Sequence, residues 1–309
     1  MNPQEISIPV PWGHIAAKLW KSKDDGPGER VMCLHGYWDN CASFDHLIPA
    51  LDRDRTYLCF DWPNHGGSSG TPPGVRWTVE NYALTVKRVA DHMQWSSSSP
   101  FACLGHSMGG QVAAVFTAVY PECVARLVLL DSAGPVAIHP DEIVFSLRMA
   151  ADEHLRVENK MVGPTSVRPP PVYTGREALA RVRKRFYGKS LDEGPARAMM
   201  ARYFRPGPVA GQFHLANDVR LSAPYSLLFS AEHHRNVVSN IRCPALLIKA
   251  SESDAYFDDV YAVFVYMYRQ NPNFRIVSVD GSHDVHMNNP RAVAALINAF
   301  LNDKPNSKL

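Results

Sequence analysis

Apolar residues in this chain form short continuous runs that alternate with longer segments of helical periodicity. Helical spacing fits residues 78–93, 109–120, 258–271 and 290–303. Six apolar runs have the length and composition of buried strands: "RVMCLHG", "TYLCFDW", "FACLGHS", "ARLVLLDS", "PALLIKA" and "FRIVSVDG". Continuous apolar strands that alternate with helices predict an α/β fold, in which helices cover both faces of a mostly parallel sheet.

Two parts of the chain depart from this alternation. The opening segment "EISIPVPWGHIAAKLW" predicts two strands that a turn at "PWGH" connects. From about Gly134 to Asn240 the pattern is helical and rich in proline, and it contains no convincing strand. We therefore expect a core of residues 1–133 and 241–309, and a helical cap of residues 134–240 above the strand ends.

The composition narrows the class of protein. With 309 residues and 46% hydrophobic content, the chain can bury a large core. A net charge of +2 gives no general attraction to nucleic acid, and no run of eighteen apolar residues predicts a membrane span. The six cysteines show no Cys-x-x-Cys spacing, and the adjacent His233 and His234 do not point at one ion, so we expect no metal. The start of the chain shows no secretory signal, which favours a reducing compartment.

The segment "LGHSMGG" surrounds Ser107 with very little side chain. A serine is exposed at the tip of a sharp strand-to-helix turn only when its neighbours are nearly free of side chains. A Cβ at Gly105 or Gly109 would collide with the turn or with the packing helix. The pattern therefore favours Ser107 as a nucleophile over an incidental serine in a glycine-rich turn.

A serine hydroxyl needs a base within hydrogen-bonding reach and a third group that orients the base. The segment "VDGSHDVHMNNP" offers His283 and His286 after the last predicted strand, and we favour His283 because it follows the turn at Gly281. For the acid we choose Asp254, in "LLIKASESDAYFDDV". Other candidate carboxylates are Glu252, Asp258, Asp259 and, after an earlier strand, Asp131.

Attack on a carbonyl develops negative charge on its oxygen, and the site must supply donors there. We expect one donor to be the backbone N–H of Met108, the residue after the candidate nucleophile. The second donor is expected from the loop after "CLHG", at the N–H of Tyr37, since Gly36 allows the backbone to approach the substrate closely. This chemistry requires no cofactor.

Together, "LHG", "GHSMGG" and "GSHDVHMNNP" resemble motifs of the α/β-hydrolase superfamily. The fuller stretches "CLHGYWDNCASFDHLIPAL" and "FDWPNHGGSS" resemble the animal serine hydrolase-like proteins, from about residue 5 to 303. The resemblance implies the chain order serine, acid, histidine, and it supports His283 because Pro290 follows seven residues later. The acid loop lacks the glycine of the commoner family form, and some cap-bearing relatives take the acid from the position of Asp131.

These features predict a serine hydrolase of carboxylic esters or acyl thioesters, and the alternative is a protein that binds a small ligand on a hydrolase fold without turnover. Nine basic and three acidic residues lie between Arg176 and Arg205. They form either a solvated helix face or a lid that attracts anions, for which fatty acyl-CoA is the candidate substrate.

The sequence ends in Ser307, Lys308 and Leu309, the tripeptide that the peroxisomal import receptor reads. The preceding "NDKPN" contains proline and polar residues, which favour a flexible tail. We therefore expect a peroxisomal protein that binds this receptor, and otherwise a cytoplasmic one.

Overall fold

A computed structural model describes residues 2–23, 28–135, 137–162, 171–184, 190–223, 229–254 and 258–303. The strands in chain order are β1 (Gln4–Val10), β2 (Gly13–Trp20), β3 (Arg30–Leu34), β4 (Thr56–Phe60), β5 (Phe101–His106), β6 (Val124–Leu130), β7 (Tyr173–Thr174), β8 (Phe204–Pro206), β9 (Gln212–Leu215), β10 (Ala245–Ala250) and β11 (Phe274–Val279). The helices are α1 (Val79–His92), α2 (Met108–Val119), α3 (Ile143–Val162), α4 (Gly175–Arg183), α5 (Glu193–Tyr203), α6 (Ala231–Ser239), α7 (Asp258–Arg269), α8 (Val285–Asn288) and α9 (Pro290–Asn302).

Eight strands form one sheet in the order β1-β2-β4-β3-β5-β6-β10-β11. The β1–β2 and β2–β4 pairs are antiparallel, and the pairs from β4 to β11 are parallel. The α/β prediction, the six predicted strands and the hairpin at "PWGH" are confirmed. Because the parallel strands share one direction, their carboxyl ends meet at one edge, where ligand sites of such sheets lie.

Side chains alternate between two hydrophobic clusters on opposite faces of the sheet. On β3, Met32 and Leu34 join the cluster with α1 and α2, while Val31 and Cys33 join the cluster with α9. Both faces are covered, which explains why the strand sequences are continuously apolar. The six cysteines are free and buried.

The segment between β6 and β10 contains α3 to α6 and a small antiparallel sheet in the order β7-β9-β8. The expectation that this segment lacks strands is wrong. These strands are two to four residues long, too short to show an alternating pattern. The helix α6 packs against α2 and places Val238 in the main core, whereas α4 and α5 form a separate cluster with Phe204. The boundaries of the cap stay a prediction.

Polar contacts join this segment to the rest of the chain. The Arg202 side chain on α5 donates to the buried carboxylate of Asp61, with a distance of 2.9 Å from Nε to Oδ2, and to Glu5 on β1. Asn40 donates to the backbone oxygen of Met199 at 3.1 Å. The helix α5 is therefore attached to the core through both backbone and charged groups.

Within the described part of the chain, no helix combines the length and the apolar composition that a membrane crossing requires.

Candidate active site

Ser107 lies in a sharp turn between the end of β5 and the start of α2. Its backbone has φ 51° and ψ −123°, a conformation that costs a residue with a Cβ about 1–3 kcal/mol. The turn is held in place because the Ser107 N–H donates to the Leu130 oxygen at 3.2 Å and the Ser132 hydroxyl donates to the Ser107 oxygen at 2.7 Å. This strained backbone presents a single hydroxyl at the carboxyl edge of the sheet.

The flanking glycines are required by close packing. A Cβ on Gly105 would lie 2.5 Å from the Gly109 oxygen, and a Cβ on Gly109 would lie 2.1 Å from the Leu34 oxygen. Both contacts are with backbone, which cannot move aside without disturbing the helix or the sheet. The collisions inferred from "LGHSMGG" are confirmed.

His283 follows β11 and is paired with Asp131, which follows β6. The distance from His283 Nδ1 to Asp131 Oδ2 is 2.6 Å, and both residues are buried. A carboxylate opposite Nδ1 makes this nitrogen the N–H donor of the neutral imidazole, so Nε2 carries the lone pair of a base. The Asp131 carboxylate also accepts from the Ala250 N–H at 2.9 Å and from the Ser253 hydroxyl.

The prediction that Asp254 is the acid is wrong, because the structure pairs Asp131 with His283. Asp254 is exposed beyond the end of β10. The backbone of Asp131 is held in place because its N–H donates to the Ile248 oxygen at 2.7 Å. Its φ is 42°, in the left-handed region. Aspartate tolerates this region better than most residues. The feature of the sequence that pointed to Asp131 is its position at the end of the apolar run "LVLLDS", where a central strand ends.

Of the two backbone donors predicted for the oxyanion, Met108 follows Ser107 directly, and Tyr37 lies on the loop after β3. Met108 is the first residue of α2, so its N–H belongs to the first turn, which has no partner within the helix. Tyr37 follows Gly36, where an added Cβ would lie 3.3 Å from the Ser107 Cβ. The loop after β3 thus approaches the candidate nucleophile closely at Gly36, and the N–H groups of Met108 and Tyr37 as oxyanion donors stay a prediction.

His35 holds this loop, although the sequence reasoning did not single it out. Its Nε2 accepts from the Trp62 N–H at 3.0 Å, and its Nδ1 lies 2.8 Å from the Gly36 oxygen. These partners require the neutral ring with hydrogen on Nδ1. Burial lowers the pKa of His35 to about 3, so the ring stays neutral near pH 7.

His106 and His286 are packed behind the site. His286 is fully buried, and its ring centroid lies 4.1 Å from that of His106. His106 Nε2 lies 3.0 Å from the His283 oxygen, and it steadies the loop that carries His283. Burial lowers the pKa of His106 to about 3. The histidine that pairs with the Asp131 carboxylate is His283, not the alternative His286.

Among the described residues, one group combines the donor types and spacing that a metal ion needs. The ligand atoms of Asp39, His106 and Asp284 lie within 4.8 Å of one another, and all three residues are buried. The distance from His106 Nδ1 to Asp39 Oδ2 is 3.9 Å. The expectation of a protein without a metal stays a prediction.

A small cavity lies between the loop after β3 and α3. Its lining includes aromatic rings, and Arg220 in its wall is saturated by Asp218 and by backbone oxygens. The lining residues are Tyr37, Asn64, Val75, Arg76, Trp77, Tyr82, His154, Arg220, Leu221 and Ala223. The space has a volume of about 20 Å³, roughly enough for one water molecule, and Ser107 is not among its lining residues, so it does not define a substrate site.

The basic residues between Arg176 and Arg205 have different environments. Arg202 is engaged by Asp61, Arg197 by Glu193, and Arg183 by the Leu191 oxygen. Three further basic residues are exposed, and their side chains make no hydrogen bond or ion pair with the described residues: Arg176, Lys184 and Arg205. Arg185 and Lys189 lie outside the described residues. A lid that attracts anions through this segment stays a prediction.

The strand order around Ser107 and the turn that carries it are those of the α/β-hydrolase fold, whose family model matches residues 29–155. The chain belongs to this family, among the serine hydrolase-like proteins. The alignment with the serine hydrolase-like protein of Danio rerio has 31% identity over 302 residues, and it covers 96% of this chain and 88% of that protein. For the human serine hydrolase-like protein 2 the identity is 34% over 313 residues, covering 96% and 93%. A hypothetical protein of Pseudomonas aeruginosa PAO1 superposes with a TM-score of 0.80 at 27% identity, covering 96% and 98%.

Proposed function

We propose that this protein is a serine hydrolase that cleaves carboxylic esters or acyl thioesters through an acyl-enzyme intermediate. The supporting observation is the buried Asp131–His283 pair, 2.6 Å between Oδ2 and Nδ1, at the same sheet edge as the strained Ser107. A carboxylate, an imidazole and a serine on three strand ends are the parts of a catalytic triad.

In the first half of the reaction, His283 Nε2 accepts the proton of the Ser107 hydroxyl while Oγ attacks the substrate carbonyl carbon. The tetrahedral oxyanion accepts hydrogen bonds from the N–H groups of Met108 and Tyr37. Asp131 stabilises the imidazolium that forms. The imidazolium then gives its proton to the leaving alcohol or thiol, and the bond to the leaving group breaks.

In the second half, water replaces the serine hydroxyl as the nucleophile. His283 accepts a proton from the water as it attacks the acyl-enzyme, and it returns the proton to Ser107 Oγ when the acid leaves. Every proton taken by the imidazole is given back within one cycle, so the reaction needs no cofactor.

Fatty acyl-CoA is a narrower proposal, in which Arg176, Lys184 and Arg205 attract the phosphates from the cap surface. An ester without charge that is hydrolysed far better than any acyl-CoA would contradict the narrower proposal and leave the serine hydrolase in place.

A fluorophosphonate, followed by intact mass, tests whether Ser107 is activated. We expect one adduct on the wild type and none on Ser107→Ala. Asp131→Asn should lower kcat for a simple ester about 10⁴-fold, as loss of the orienting carboxylate does in a triad. The matched control Asp254→Asn should keep kcat within about twofold, since this side chain is exposed and His283 is paired with Asp131.

Two outcomes would contradict the proposal. A wild type that forms no adduct and turns over no ester would favour a protein that binds a small ligand on a hydrolase fold. Equal activity of Asp131→Asn and the wild type would remove Asp131 from the triad.

We also propose that the protein acts in peroxisomes, on the basis of the terminal Ser307, Lys308 and Leu309, which lie outside the described residues. A fluorescent protein fused to the N-terminus should colocalise with a peroxisomal marker, and removal of Leu309 should disperse it. A wild-type fusion spread through the cytoplasm would contradict this proposal.

A further inference from the structure

The loop after β10, where the sequence pattern places an acid, instead supplies a hydroxyl. The Ser253 hydroxyl donates to Asp131 Oδ2, the same oxygen that accepts from His283 Nδ1. The other oxygen of this carboxylate, Oδ1, accepts from the Ala250 N–H at 2.9 Å. The carboxylate thus receives three hydrogen bonds, two from the side chains of His283 and Ser253 and one from the backbone of Ala250.

Backbone contacts fix the position of this hydroxyl. The Ser251 N–H donates to the Val279 oxygen at 2.9 Å, and the Glu252 N–H donates to the Gly281 oxygen at 2.8 Å. The loop that carries Ser253 is therefore tied to the turn that carries His283. Since Asp131, Ser253 and His283 follow the adjacent strands β6, β10 and β11, the three groups are held by one continuous part of the sheet.

We propose that Ser253 is a positioning residue of the triad: its hydroxyl, through the hydrogen bond to Oδ2, sets the orientation and the effective charge of the Asp131 carboxylate towards His283. This inference rests on the proposed serine hydrolase. Ser253 itself has no part in bond making or breaking.

A carboxylate oxygen has two lone-pair directions, and here each is engaged by one donor. In Ser253→Ala, Asp131 Oδ2 loses the hydrogen bond from the hydroxyl and keeps the one from His283 Nδ1. The negative charge of the carboxylate then interacts more strongly with the imidazole. The imidazolium is then held more strongly, so the base is protonated up to a higher pH. The remaining Ala250 bond allows the carboxylate to rotate, which misaligns the imidazole.

The experiment compares Ser253→Ala with Ser278→Ala in the full-length protein. Ser278 is a matched control on β11, because its exposed hydroxyl donates to the Lys249 oxygen at 3.3 Å and does not contact the triad. For Ser253→Ala we expect kcat for a simple ester to fall about tenfold with an unchanged KM, as loss of a hydrogen bond to a charged group predicts. The acidic limb of kcat/KM should move to higher pH by about half a unit. Ser253→Thr, which keeps the hydroxyl, should restore both quantities to within about twofold of the wild type.

A merely structural serine would lower the urea midpoint and leave the pH profile in place. An unchanged kcat and an unchanged acidic limb in folded Ser253→Ala would overturn the inference, while the wild-type activity would leave the proposed function intact. If Ser253→Ala does not fold, Ser253→Cys, a weaker donor of similar shape, takes its place in the same comparison. A wild type without hydrolase activity would overturn the proposed function and this inference with it.

Discussion

Replacing Arg202 tests how firmly α5 is attached to the core. The Asp61 side chain is fully buried and the Arg202 side chain is 12% exposed, so this pair is shielded from water. Arg202→Met removes the charge and keeps much of the apolar stem in place. The substitution leaves a buried carboxylate without its cation.

The size of the effect follows from what Asp61 keeps. Breaking a buried ion pair from one side costs about 3–5 kcal/mol, because the remaining charge stays desolvated. Asp61 still accepts from the N–H groups of Cys41 at 2.7 Å and Gly67 at 2.8 Å, which favours the lower end of this range. The pair with Glu5, which is 60% exposed, adds little. We therefore expect the free energy of unfolding to fall by about 3 kcal/mol.

Urea denaturation followed by tryptophan fluorescence measures this loss. At a slope of about 3 kcal/mol per molar urea, the midpoint should fall by about 1 M. The matched control is Arg197→Met on the same helix, since Arg197 pairs with Glu193 on the surface and should cost about 0.5 kcal/mol or less. A loss below about 1 kcal/mol for Arg202→Met would refute the reasoning that this ion pair anchors the helix.

Two further predictions concern acid stability and the turn at Ser107. Burial lowers the pKa of His35, His65 and His106 to about 3, so below pH 6.5 the unfolded chain binds protons that the folded chain does not. Stability should fall with decreasing pH by up to about 1.4 kcal/mol per unit for each histidine, and urea midpoints that are equal at pH 7 and pH 5 would contradict this. Gly109→Ala should cost more than about 3 kcal/mol or prevent folding, because its Cβ would lie 2.1 Å from the Leu34 oxygen. Gly175→Ala meets only an ordinary contact of 3.6 Å with Phe213 and should be nearly neutral in the same denaturation assay.

The main sheet could be predicted because its strands are continuously apolar and are separated by clear helical segments. The same logic failed for β7, β8 and β9, whose few residues are stabilised by contacts such as that of Tyr173 with Phe204, 5.6 Å between ring centroids. These contacts join parts of the chain that are distant in sequence. Periodicity within a short window cannot report them.

The site could be predicted only in part from the sequence, because some of its contacts join residues that are distant along the chain. Ser107 could be identified locally, because the glycines around it are adjacent in sequence. The choice between Asp254 and Asp131 could not be made from the strand order, because β10 lies between β6 and β11 in the sheet. It depends on which of the two loops directs its carboxylate towards His283, and that is the loop after β6, which carries Asp131. His35 was missed because its role depends on Trp62, which lies on the neighbouring strand end.

All six cysteines are buried, so the reactivity of their thiols reports on local or global unfolding of the native protein. Burial raises the pKa of the Cys41, Cys59 and Cys103 thiols and raises that of Cys243 to about 12, so the native protein offers little thiolate to an alkylating reagent. The rate at which such a reagent adds mass therefore measures how often the interior becomes accessible. Ligands that hold the protein closed can be found by the slowing of this reaction, before any substrate is known.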